Sequence, residues 1–89
     1  MGKIIRIRRR LSERNKILTP NSNTTVFINY SYSKNILEAQ FTGSSKIYHY
    51  KEVEPETWEE YKSAVESGGS SGRFINTRIK PSYDFEEIE

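Results

Sequence analysis

The sequence predicts an α+β fold, a three- to four-stranded antiparallel β-meander with one α-helix packed across one face. Three observations carry that prediction. Segments rich in β-branched and aromatic residues alternate apolar with polar positions and are parted by short turn sequences. A proline amid glutamates then opens a stretch with apolar residues at three- and four-residue spacing. The chain has 89 residues, enough for one domain near the low end of what supports its own core.

Ile5-Arg6-Ile7-Arg8 alternates apolar and basic residues, the pattern of a short strand with one buried face. Thr19-Pro20-Asn21-Ser22-Asn23-Thr24 reads as a loop. From Thr25 to Tyr32 the composition suits a strand, with Val26, Ile28 and Tyr30 on one face and Phe27 and Asn29 on the other. Ser33-Lys34-Asn35 makes a hairpin turn. The second strand then puts Leu37, Ala39 and Phe41 inward and Glu38 and Gln40 outward. Thr42-Gly43-Ser44-Ser45 turns the chain again, and Lys46–Lys51 is the third strand.

Pro55 fits the first turn of a helix, where its missing N–H costs nothing, and Glu54, Glu56, Glu59 and Glu60 suit the positive end of the helix dipole. Trp58, Tyr61, Ala64 and Val65 form the stripe that covers the sheet. Trp58 alone buries on the order of 200 Å², worth about 5 kcal/mol before entropy is subtracted. The helix stops by Ser67, because the Gly68–Gly72 stretch supplies a C-terminal cap and a loop. Phe74, Ile75, Ile79 and Tyr83 anchor an irregular or extended return. The expected organisation is a basic strand or arm and linker over 1–23, a β-β-β-α domain over 24–83, and a frayed acidic tail over 84–89.

Composition excludes several classes. There is no cysteine, hence no disulfide framework or thiolate metal site. No apolar run approaches the ~20 residues of a membrane span, and Met1–Arg14 lacks the apolar centre of a signal peptide. Arg6 stands where an N-myristoylation motif wants serine or threonine. A cytoplasmic protein without membrane contact is expected. The net charge of +2 conceals a split. Residues 1–51 carry ten basic against two acidic residues, or +8, and residues 52–89 carry four against ten, or −6. Such asymmetry suits a polyanion-facing side, or two surfaces that pair within or between molecules.

An ordered set of residues runs through the centre of the chain. Tyr30 ends the first strand, and Leu37-x-Ala39-x-Phe41 forms the second. Gly43 follows, then Tyr48-x-Tyr50 with Val53 and Pro55. Tyr61, Ala64, Ser67 and Gly68 continue through the helix, and Phe74, Asn76, Ile79 and Tyr83 close the pattern. From about Thr25 to Tyr83 the chain thereby resembles the KTSC domain, a short module found alone in bacterial and phage proteins and at the C-terminus of some lysyl-tRNA synthetases. The Gly68–Gly72 loop is longer than the family tends to have, and the arginine cluster lies outside the resemblance. The likeness implies a suggestion of RNA binding and no established activity, and a fold does not carry a function with it.

Tyr48 and Tyr50 share one face of the third strand. If that face is open, the two rings form a platform on which bases stack, each worth ~1–3 kcal/mol. If it lies under the helix, they are core residues with hydroxyls at its rim, the reading that Trp58 and Tyr61 favour by needing a surface to cover. His49 and Lys51 then occupy the outer face. His49, the only histidine, has no companions for a metal site and reads as a surface residue. Acid–base work would require a carboxylate and a pocket built around it. The Gly68–Gly72 loop lacks the lysine of a phosphate-binding loop. No enzyme, metal or cofactor is expected.

The chain is therefore expected to be a small, non-catalytic domain that binds RNA or single strands mainly through phosphates. Arg6, Arg8, Arg9, Arg10, Arg14, Lys46 and Lys51 would meet phosphates, and Tyr48, His49 or Tyr50 would meet bases. The arginine cluster has a plainer reading, a basic N-terminus that keeps the protein soluble or docks on the acidic half. The alternative function is a protein-binding adaptor or inhibitor, of the kind encoded by phages or mobile elements, acting on a host protein. There Glu59, Glu66, Asp84, Glu86, Glu87 and Glu89 would mimic a polyanion. Self-association by strand addition, with Ile5–Arg8 pairing to a sheet edge, is a third expectation.

Overall fold

A computed structural model describes residues 10–88. The strand expected over Ile5–Arg8, the arginines at 6, 8 and 9, and Glu89 lie outside those residues. A single 3-10 turn, Glu13–Asn15, leads into β1 (Ile17–Leu18). Then follow β2 (Thr25–Ser31), β3 (Ile36–Phe41) and β4 (Ile47–Tyr50). Helix α1 (Pro55–Glu66), a short α2 (Ser71–Phe74) running into a π-helical turn (Ile75–Ile79), and β5 (Phe85–Ile88) complete the chain. The strands form one antiparallel sheet in the order β1-β2-β3-β4-β5.

The class is the one the sequence predicts, with more strands. The expected acidic tail is strand β5, which pairs Phe85 with Tyr50, Glu86 with His49 and Glu87 with Tyr48. Charge helps explain why a run of glutamates is stable there: Lys46 and Lys51, which flank β4, reach Glu87 and Glu86 at 3.7 and 3.2 Å. The return through Phe74–Ile79 is helical instead of extended, because the Ser70 hydroxyl accepts the Arg73 N–H and caps a new helix.

Both central hairpins lie where the turn residues put them. Asn35 adopts φ 57°, a left-handed conformation that asparagine tolerates, and Gly43 adopts φ 79°. One register detail departs from simple alternation. A bulge between Thr25 and Phe27 opposite β3 moves Val26 off the core face into solvent, and puts Thr25 beneath the helical layer in its place.

Helix α1 crosses the face formed by Ile28, Tyr30, Leu37, Ala39 and Tyr50, all buried. Trp58 is 1% exposed and stacks on Tyr30, with ring centroids 5.4 Å apart and planes 7° from parallel. Tyr61 stacks in turn on Phe74 at 4.5 Å, so α2 extends the same apolar layer. Ile75 and Ile79 on the π-helical turn close it.

Candidate nucleic-acid interface

Tyr50 faces the helix and is buried, and burial pushes its hydroxyl pKa up to about 12. Tyr48 points the same way but is only half-buried, sandwiched between Phe41 and Phe85. Neither offers the open two-ring platform, so of the two sequence readings the packed one holds. The reason is the one anticipated: Trp58 and Tyr61 cover that face.

The opposite face departs further from expectation. Asn29, Glu38, His49 and Glu86 are successive cross-strand neighbours on β2, β3, β4 and β5. Glu38 and His49 were expected at the surface. Glu38 is fully buried and His49 is 5% exposed. The segment before the 3-10 turn covers them. Leu11 packs down as a buried residue, and Arg10 lays its guanidinium over Phe27 at 5.0 Å.

The Glu38 carboxylate accepts five hydrogen bonds. Its Oε2 takes the Leu11 N–H at 3.0 Å, the Arg10 Nε–H at 3.0 Å and the His49 Nε2–H at 2.8 Å. Its Oε1 takes the second arm of Arg10 at 3.2 Å and the Asn29 amide at 3.0 Å. Burial alone would raise its pKa, but the bonds from His49, Arg10, Asn29 and Leu11 outweigh it and hold the carboxyl down to about 2. Asn29 also donates to the Ser12 carbonyl, so one amide ties the covering segment to the sheet.

This clasp corrects two proposed site residues. Arg10 is occupied as a bidentate partner of a buried carboxylate, which would be destabilising without it, and His49 is a donor in the same cluster. The carboxylate once required for a catalytic histidine is present, but every favourable direction around it is filled. Lys46 and Lys51 are exposed but face glutamates on β5, so they present no net charge to a polyanion. The acidic set is dispersed too: Glu59 accepts the Tyr32 hydroxyl and faces Lys62, Glu66 lies exposed at the end of α1, and Asp84 receives the Lys51 N–H on its carbonyl.

Arg14 differs from its neighbours. Among the described residues its guanidinium has no acidic partner, and it lines a groove of about 400 Å³ with Ser12, Asn15, Ser31, Tyr32 and Ser33. The Tyr32 ring meets Tyr30 edge-to-face at 5.0 Å and remains 44% exposed. Lys34 follows Ser33 in the same hairpin turn, also without an acidic partner among the described residues. An open aromatic ring, a free guanidinium and serine hydroxyls thus share one groove. Tyr32 was not singled out from the sequence, because a lone tyrosine at the end of a strand gives no motif.

A five-stranded meander covered on one face by helices and clasped on the other by a charged segment defines a small α+β domain class. A family model described as KTSC domain matches residues 21–83, and the chain belongs to that family. It is similar to the crystal structure of the KTSC domain protein YPO2434 from Yersinia pestis, with 28% identity and a TM-score of 0.62. That similarity covers 76% of this chain and 89% of the other. No curated protein matches. Arg10, Leu11, β1 and β5 fall outside the residues that the family model matches. No helix among the described residues is long and apolar enough to cross a membrane.

Proposed function

We propose that this protein is a small, non-catalytic domain that binds RNA or single-stranded nucleic acid through phosphates. The observation that carries the reading is the Arg14–Tyr32 groove: an unpaired guanidinium beside a half-open ring, lined by hydroxyls. A guanidinium neutralises phosphate, and an aromatic ring stacks a base without reading its identity. The groove also lies where the chain emerges from its arginine-rich stretch. Arg10 and Leu11 are pinned to Glu38, and in the sequence Arg8 and Arg9 precede Arg14 by six and five residues. The non-catalytic part rests on the Glu38–His49 pair, the nearest thing to an acid–base dyad, whose carboxylate is saturated by donors.

The test is fluorescence anisotropy with labelled single-stranded RNA at low salt. Tyr32→Ala should weaken binding about tenfold, as the loss of one stacked base implies, and Arg14→Glu by at least as much. Lys46→Glu should change little. Equal affinity in wild type and both groove variants would remove the assignment.

A second reading, the protein-binding adaptor or inhibitor, draws on β5. It is the last strand of the sheet among the described residues and carries Phe85, 59% exposed. A partner retained after nuclease treatment and lost in Phe85→Glu would favour it, and so would a homodimer dissolved by that change.

A further inference from the structure

A second cavity lies far from that groove. It opens between the β1–β2 turn and the glycine-rich connection from α1 to α2, with a volume of about 580 Å³, within the usual range for small-molecule sites. β2 runs from one site to the other, Thr24 lining the cavity and Ser31 the groove, so the two stand about 20 Å apart at the rise of a strand.

Its walls are held by close backbone packing. Gly72 meets Thr24 so tightly that a Cβ there would lie 2.3 Å from the threonine Oγ1. Gly68 adopts φ +93°, a conformation costly to any side chain, and the Gly69 N–H bonds the Ala64 carbonyl at 2.7 Å. Below them runs a seam of four buried hydroxyls joining the residue after β1 to β2, α1 and α2. The Tyr61 and Ser71 oxygens are 2.7 Å apart, Ser71 and Thr25 2.8 Å, and Thr25 and Thr19 2.7 Å. The Thr19 oxygen also lies 2.8 Å from the Thr25 carbonyl, which gives every hydroxyl a partner. The floor is therefore structural, satisfied and rigid.

The rim is the reverse. Asn21, Asn23 and Asn76 line the cavity, and among the described residues their side-chain amides make no hydrogen bond. Arg73 is the only charged side chain in the lining, and it has no carboxylate partner among the described residues. A preformed cavity with one free cation, several free amides and no acid selects for a hydrophilic anion.

We infer that this cavity binds a small phosphorylated molecule of about mononucleotide size, with its phosphate on Arg73 and its sugar or base hydroxyls and amides on the asparagines. The inference does not depend on the strand-binding reading.

Heteronuclear NMR titration of the full chain with ribose 5-phosphate and with adenosine monophosphate tests it. Saturable shifts are expected in the amides of Thr24 and Gly68–Arg73, with those of Tyr32 and Ser33 unmoved. Arg73→Ala should weaken binding about tenfold, the usual worth of a charge-assisted hydrogen bond, and Asn76→Ala less. Both side chains are exposed, so neither change disturbs the fold, and an unchanged thermal midpoint checks this. Arg14→Glu should leave the titration intact. No saturable shift with either phosphate compound would overturn the inference. So would equal binding of unphosphorylated adenosine, or binding of inorganic phosphate as tight as that of the sugar phosphate.

Discussion

Glu38 shows how one residue can be read correctly as to face and wrongly as to environment. Strand alternation puts it on the side away from the helix, and there it lies. What alternation does not reveal is that Arg10 and Leu11 fold over that side and convert a solvent position into a buried one. The consequence is measurable. Its carboxyl is held at about 2 in the folded protein against an ordinary 4.5. A depressed folded-state pKa contributes stability that is fully present above 4.5 and lost as the pH falls toward 2. The shift corresponds to about 3 kcal/mol. Urea midpoints should therefore drop steeply across that acid window in the wild type. In Glu38→Gln the drop should shrink, and stability at neutral pH should already be lower by about 3 kcal/mol, because an amide cannot accept the three donors that converge on Oε2. Coincident pH profiles for the two proteins would contradict the clasp.

At the scale of elements, the parts most legible in the sequence are those whose signals are local. The hairpin turns at Ser33–Asn35 and Gly43 announce themselves by residue type, and Pro55 with the Trp58–Tyr61 spacing marks α1. Strand β5 was not legible, since a glutamate-rich terminus has poor strand propensity and is held by distant partners, the lysines flanking β4 and the rings of Tyr48 and Tyr50. The Asn29–Glu38–His49 row was within reach. Counting registers outward from the two turns puts these residues opposite one another. The groove of Arg14 and Tyr32 was half-visible, because Arg14 belonged to the basic cluster while Tyr32 gave no motif. The cavity over Gly68–Gly72 was seen only as a loop. Its hydroxyl seam joins Thr19 to Ser71 across most of the chain, beyond any local pattern. Ending the chain after Asp84 tests what β5 contributes. Deletion of residues 85–89 should expose the β4 edge and the Tyr48 ring, lower the melting midpoint, and produce concentration-dependent self-association in light scattering. A strictly monomeric truncation with the parental midpoint would show that β5 adds nothing to the sheet.

For the molecule as a whole, charge distribution makes the strictest demand on the strand-binding proposal. The split between +8 and −6 halves survives folding only in part, because Lys46, Lys51, Lys62, Arg10 and Arg78 face carboxylates within the domain. Among the described residues the cations left for a polyanion near the groove are Arg14 and Lys34, and the sequence adds Arg6, Arg8 and Arg9 as candidates. Counterion release turns that short roll into a number. Each phosphate neutralised on a single strand adds about −0.7 to the slope of log affinity against log salt. Contact by all five predicts a slope of about −3.5, and replacing Arg6, Arg8 and Arg9 with glutamine should reduce its magnitude by about 2. Lys46→Gln with Lys51→Gln should leave it unchanged, because both lysines are already neutralised by β5. If the slope falls on removing those lysines and stays constant on removing the arginines, phosphates follow the β4–β5 ladder and the groove is not the interface.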